Sequence, residues 1–248
     1  MQIIAHRGAS GEFAENSLLA FEQAILQGCD AIEFDVQFHQ ASGEFILLHD
    51  SYLWIDNSSG ENNSAKKVHF NQLPLDELVN NASNAKFNIC TLNQALQGIN
   101  TQCLINIELK STSQDAELVN EMQKLEHIIQ QAQQRKLISY QQLIISSFNH
   151  HALMHISTYF PAVTTAALIA CCPLDYAAFC QKLKVKMLNL SVECMNPEII
   201  NDAHRRGLKV WVYTVDNSDQ IKHCLEYQVD GIFTNFPQQT RQIILALT

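Results

Sequence analysis

Residues 31–38 read AIEFDVQF, and residues 104–110 read LINIELK. Alternate residues of an extended strand share a face. Glu33 and Asp35 therefore point one way, and Ile32, Phe34 and Val36 the other. The second stretch repeats the device. Asn106, Glu108 and Lys110 share one face, and Ile105, Ile107 and Leu109 share the opposite one. Carboxylates on the inner face of a buried strand need a cation or a shared proton, because burial disfavours an unpaired charge.

These two stretches belong to a series. Short apolar runs recur at 2–6, 31–38, 103–109, 142–147, 163–169, 186–192, 208–215 and 230–234. Helical patterns lie between them at 16–27, 91–99, 114–136, 149–158, 173–183, 196–206 and 217–226, and another closes the chain at 237–247. Asn16 or Ser17 is placed to cap the first helix, and Gly28 and Gly207 stand just past helix ends. Strands apolar throughout suit a parallel sheet covered on both faces. Eight strand–helix units in a chain of 248 residues predict an α/β TIM (β/α)8 barrel. A doubly wound open sheet is the alternative, and it lacks a G-x-G-x-x-G phosphate turn here.

One segment breaks the rhythm. Residues 50–90 separate the second strand from its helix, and DNSSGENNSAKK (56–67) within them reads as an exposed loop. Barrel insertions after strands fall on the catalytic face, so 50–90 is expected to be a small cap on a single catalytic domain spanning 1–248.

Composition narrows the class. The chain is 47% hydrophobic and 17% charged, with a net charge of −9. That balance disfavours a nucleic-acid partner. No apolar run has the length of a membrane span or of a signal peptide, so stable membrane insertion is not expected and the cytoplasm is. The eight cysteines are scattered without a C-x-x-C and read as reduced residues of the interior. No oligomeric state is assigned.

The charged residues gather at strand ends. His6 and Arg7 end the first strand, and Glu33, Asp35, Glu108 and Lys110 lie at or near the ends of the second and third. Barrel active sites form at that end. Ser42-Gly43 suggests a hairpin turn. If residues whose numbers sum to 84 face each other, His49 lies across from Asp35. Three carboxylates without Cys or His in ligand spacing suit a hard divalent cation, Mg²⁺ or Ca²⁺. Arg7 and Lys110 supply phosphate-binding charge, and two histidines exchange protons near neutrality. Together they describe phosphoester cleavage.

Motifs in the same order mark a family. HRG (6–8), EN (15–16), G-x-D-x-x-E-x-D-V (28–36), HD (49–50), TL (91–92), IELK (107–110), SF (147–148) and VDGIFTN-x-P (229–237) resemble the glycerophosphodiester phosphodiesterase family over nearly the whole chain. The resemblance implies metal ligands at Glu33, Asp35 and Glu108. It implies an acid–base pair at His6 and His49, and phosphate binding by Arg7 and Lys110. The small-molecule substrate would be a glycerophosphodiester, cleaved to an alcohol and glycerol 3-phosphate, with the free glycerol hydroxyl attacking phosphorus first in one route. The chain departs from the family pattern at Ala14, Ser17, Ile55, Cys90, Asn93 and Asn235. None of these is an implied ligand or acid–base group.

Other residues carry weaker signals. Trp211 and Tyr213 share a strand face, and Trp211 and Phe148 are candidates to line the substrate site, with packed core the competing reading. Glu15 is expected to support the site. His151 and His155 of HHALMH share a helix face but lack the Glu of H-E-x-x-H, so a solvated face is expected. There is no G-x-S-x-G elbow or P-loop. Two further readings are a related phospholipase D-like barrel acting on lysophospholipids, and a barrel that binds phosphodiesters without turnover. The polar insertion argues against the first, and the complete set of acid–base residues argues against the second.

Overall fold

The computed structural model describes residues 1–55, 65–79 and 87–248. In chain order its elements are β1 (Gln2–His6), α1 (Leu18–Leu26), β2 (Ala31–His39), β3 (Glu44–Leu47), β4 (Tyr52–Ile55), β5 (Lys66–His69), α2 (Leu75–Leu78), α3 (Leu92–Ile99), β6 (Leu104–Leu109), α4 (Asp115–Gln134), β7 (Leu143–Ser147), α5 (His150–Tyr159), β8 (Thr164–Ile169), α6 (Phe179–Leu183), β9 (Met187–Ser191), α7 (Pro197–Arg205), β10 (Lys209–Tyr213), α8 (Ser218–Glu226), β11 (Gly231–Thr234) and α9 (Pro237–Leu247). The helix expected over 173–183 is confined to its second half.

Eight parallel strands close into a barrel. The order is β1-β11-β10-β9-β8-β7-β6-β2, and β1 pairs with β2 to complete the ring. All eight strands send side chains inward. Ile4, Ala31, Ile144, Ala166, Met187, Trp211 and Phe233 form an inner apolar cluster, with Leu104 packed against it. The outward faces of the same strands, among them Ile32, Phe34, Ile105, Ile107 and Leu188, join the helices in a second and larger core. This two-sided burial is why the strands read as apolar runs.

Gly231 has a steric role inside the barrel. A Cβ there would lie 2.7 Å from the Trp211 indole and 2.8 Å from Ile4 Cδ1. The missing side chain makes room for the ring.

Strand β2 is longer than its neighbour β1. Pairing with β1 ends at His6–Glu33. The overhanging half of β2 instead pairs antiparallel with β3, from Val36–Leu47 to His39–Glu44. The insertion that follows holds the β4–β5 hairpin and α2, over a small core of Ile46, Phe70 and Leu78. Most of the loop expected over 56–67 lies outside the described residues. Lys66 and Lys67 belong to β5 and are exposed.

Among the described residues, no helix is long and apolar enough to cross a membrane.

Candidate active site at the C-terminal rim

The turn after β1 brings its charged residues over the barrel mouth. Arg7 and Gly8 both have positive φ, 56° and 80°. A Cβ on Gly8 would lie 2.7 Å from the Ala20 backbone, so only glycine fits where this turn crosses α1. The turn directs the Arg7 backbone N–H at Glu33 Oε2, 3.0 Å away. Its guanidinium spans two carboxylates: Nη1 donates to Glu15 Oε2 at 2.8 Å, and Nε lies 3.1 Å from Asp35 Oδ2. That second contact is an ion pair without hydrogen-bond alignment.

Glu33, Asp35 and Glu108 each offer an oxygen within 4.8 Å of the others'. The register explains the convergence, because Asp35 pairs directly with Glu108 and Glu33 with Asn106. Glu33 and Asp35 are 2% and 1% exposed. Lys110 Nζ reaches back to Glu108 Oε1 at 2.8 Å and Asp35 Oδ1 at 3.3 Å. Burial, then the Asp35 and Glu108 charges, pushes the Glu33 carboxyl well above the usual range. Burial and Asp35 also raise Glu108, against the pull of Lys110. Burial alone would lower Lys110, but Glu108 and Asp35 outweigh it and raise its pKa.

This cluster fits a hard cation. Its donors are all oxygens, and Glu33 Oε1 is buried with no hydrogen-bond partner. A divalent ion held by Glu33, Asp35 and Glu108 would satisfy that oxygen and relieve the mutual repulsion that raises the carboxyl pKa values.

Asn16 is not the cap of α1. That role falls to Ser17, whose Oγ accepts from the Ala20 N–H at 3.1 Å. Asn16 is buried instead against Asp35. Its Nδ2 donates to Asp35 Oδ2, and its Oδ1 accepts the Asp35 backbone N–H, both at 3.1 Å. It holds the central carboxylate in place.

His6 ends β1 on the inner face. Its Nδ1 is 2.8 Å from Asn235 Oδ1. Burial and the Arg7 charge lower its pKa, partly countered by the Asn235 hydrogen bond and nearby carboxylates. His49 lies beyond β3. Its Nδ1 is 2.8 Å from Asp50 Oδ1, and its charge acts on Glu108. Both histidines thus spend Nδ1 on an oxygen partner. Among the described residues, neither Nε2 carries a hydrogen bond.

The expected pairing of His49 with Asp35 does not form. Paired residues of β2 and β3 have numbers summing to 83, not 84, and pairing stops at Val36–Leu47. A buried side chain, Gln37, sets the His49 loop instead. Its Nε2 donates to Leu48 O at 2.8 Å and His49 O at 3.1 Å, and its Oε1 accepts from Ser51 Oγ at 3.0 Å. The signal was in the sequence: Glu33, Asp35 and Gln37 continue one inward-facing series.

Trp211 also lies elsewhere than expected. It sits inside the barrel, 1% exposed, edge-to-face with Phe233. It lines a cavity of about 310 Å³ at the opposite end with Gln2, Lys186 and Lys209. Tyr213, two residues on, takes the rim position. Its ring stands edge-on to Phe148 with centroids 6.1 Å apart, and its hydroxyl donates to Ile169 O at 2.8 Å. Phe148 is half-exposed at the barrel mouth. In the insertion, Tyr52 and Trp54 are exposed on one side of β4.

Comparison with known proteins agrees with this architecture. The glycerophosphodiester phosphodiesterase of Caldanaerobacter subterraneus subsp. tengcongensis is 27% identical, over 95% of this chain and 94% of its own. That of Bacillus altitudinis is 27% identical, over 98% and 97%. Among solved structures, an Oleispira antarctica phosphodiesterase in complex with the product sn-glycerol-3-phosphate superposes with a TM-score of 0.81 at 23% identity, over 98% of this chain and 96% of that one. A glycerophosphodiester phosphodiesterase from Parabacteroides distasonis gives 0.80 at 22%, over 99% and 97%. The family profile described as Glycerophosphoryl diester phosphodiesterase matches residues 6–239, and the chain belongs to that family.

Proposed function

We propose that this protein hydrolyses glycerophosphodiesters to an alcohol and glycerol 3-phosphate, as one catalytic domain over 1–248 capped by 50–90. The observation that carries the reading is the convergence at one rim of Glu33, Asp35 and Glu108 with Arg7, Lys110 and two histidines whose Nε2 atoms are unpaired among the described residues. A binding-only barrel has no need of that acid–base pair.

Arg7 and Lys110 hold the phosphate by charge, Arg7 with its planar fork and Lys110 with its ammonium. One histidine Nε2 takes the proton of the free glycerol hydroxyl as its oxygen bonds to phosphorus. The other protonates the departing alcohol oxygen as its bond to phosphorus breaks. The cyclic phosphate is then opened by water, with the proton transfers reversed. Mg²⁺ or Ca²⁺ held by the three carboxylates would supply neutralisation of phosphate charge and a lowered pKa for the attacking hydroxyl. The cytoplasm is the compartment that suits eight scattered cysteines without a C-x-x-C.

The test is release of glycerol 3-phosphate from glycerophosphocholine in Mg²⁺ or Ca²⁺. His6→Ala and Glu108→Gln should abolish it. Full activity in EDTA would sink the metal assignment.

A further inference from the structure

We infer that Asp216 and Asn235 are positioning residues that lock His6 in the tautomer with its proton on Nδ1, leaving the Nε2 lone pair for proton transfer. The inference rests on the catalytic role given to His6 above.

The chain of constraint starts at Asp216, in the turn after β10. Its carboxylate accepts three hydrogen bonds. Oδ1 receives Thr234 Oγ1 at 2.9 Å and the Asn235 backbone N–H at 2.8 Å. Oδ2 receives Asn235 Nδ2 at 2.5 Å. An ionised carboxylate only accepts. The Asn235 amide must therefore turn its NH₂ toward Asp216, and its carbonyl oxygen must face the other way. On that other side stand His6 Nδ1 at 2.8 Å and Ser10 Oγ at 2.8 Å. An amide oxygen also only accepts, so the His6 nitrogen facing it must carry the hydrogen. Ser10 Oγ, which lies 2.7 Å from His6 O as well, braces the same corner. Three successive donor–acceptor choices, each forced by the one before, decide which ring nitrogen is protonated.

The partner facing His6 is a neutral amide, and the negative charge stands one residue behind it. An amide orients an imidazole without sharing its proton, so the ring keeps its own proton on Nδ1 throughout a catalytic cycle. This is how the chain uses Asn235, one of its departures from the family pattern. The barrel makes the relay possible by closure, since β1 and β11 are hydrogen-bonded neighbours although His6 and Asn235 are 229 residues apart.

Nitrogen-15 NMR of the full chain, labelled at histidine and studied with Mg²⁺ at about pH 8, where an imidazole is neutral, reads the tautomer directly. His6→Gln identifies the resonance. The expected wild-type result is a protonated Nδ1 and a bare Nε2. In Asp216→Asn the amide at 235 is free to turn over. His6 should then show mixed tautomers, and kcat should fall about 10- to 100-fold with KM changed less than about twofold. The exchanged pair, Asp216→Asn with Asn235→Asp, again faces an oxygen toward His6. It should recover the tautomer and return kcat to within about fivefold of wild type. A lost hydrogen bond that mattered only to stability would move neither the tautomer nor kcat alone. A wild-type His6 protonated on Nε2 would overturn the inference. So would an Asp216→Asn protein with unchanged tautomer and kcat. A wild type showing the Nδ1 tautomer but no turnover of glycerophosphodiesters would count against the proposed activity and for the lock.

Discussion

Lys110 Nζ lies 2.8 Å from Glu108 Oε1 and 3.3 Å from Asp35 Oδ1, so one ammonium is shared by two proposed metal ligands. Its two roles have opposite signs. As a neighbouring positive charge it opposes a divalent cation. As a phosphate ligand it favours the substrate. Lys110→Met should therefore tighten Mg²⁺ or Ca²⁺ binding by roughly fivefold, a modest Coulomb effect at a partly solvated site, while KM for glycerophosphocholine rises about 10-fold or more. Calorimetric metal titration and steady-state kinetics on one preparation check both signs. Weaker metal binding would show that Lys110 chiefly orders the carboxylates.

The same crowding makes a prediction about stability and pH. Without metal, burial and neighbouring carboxylates raise the Glu33 and Glu108 carboxyls above their ordinary value of 4.5. Between that value and the raised ones, the folded protein binds more protons than the unfolded chain. Stability therefore falls as pH rises through that window. A saturating divalent cation binds the ionised carboxylates and should reverse the trend, stabilising most at the high-pH side. Thermal melts from about pH 4.5 upward, in EDTA and in Mg²⁺, give the two curves. Glu33→Gln should flatten the EDTA curve. Parallel curves with and without the ion would refute the shared site.

The barrel was legible because its physics is local. A strand covered on both faces is apolar along its length, and a two-residue period places Glu33 and Asp35 together whatever the rest of the chain does. Depth and register are not local. The period assigns Trp211 and Tyr213 to one face, but pairing of Trp211 with Gly231 is what sets the indole in the interior and leaves Tyr213 at the rim. The β2–β3 register depends on the turn near Gly43, where one residue flips every side chain, and that slip separated His49 from Asp35. Asp216 carried no motif, and its meaning comes only from ring closure, which sets Asn235 beside His6.

Asn16 joins backbone strain to the proposed metal site. Its φ is +56°, and its amide makes two hydrogen bonds with Asp35. Two substitutions separate these roles. Asn16→Gly keeps the conformation at little steric cost, whereas Asn16→Ala adds about 1 kcal/mol of left-handed strain. Both remove the support of Asp35. Both should lose about 10- to 100-fold in metal affinity or kcat, with Ala melting below Gly. Equal melting points would remove the strain argument. Retained metal affinity and kcat in both would remove the positioning one.

Gln37 should govern His49 without touching the proposed metal ligands. Its amide N–H groups serve Leu48 O and His49 O, and its oxygen receives Ser51 Oγ. Gln37→Leu leaves those carbonyls without a buried donor, a cost of about 1–3 kcal/mol that the loop escapes by moving toward water. Gln37→Glu has nearly the same shape, but an ionised carboxylate would press its oxygens against two carbonyl oxygens and expel the loop more strongly. The expected order of kcat is wild type, then Leu, then Glu, with Leu down about 10-fold and metal affinity little changed in Leu. If the Glu variant turned over as fast as wild type, the His49 loop would have to be held by contacts other than this amide.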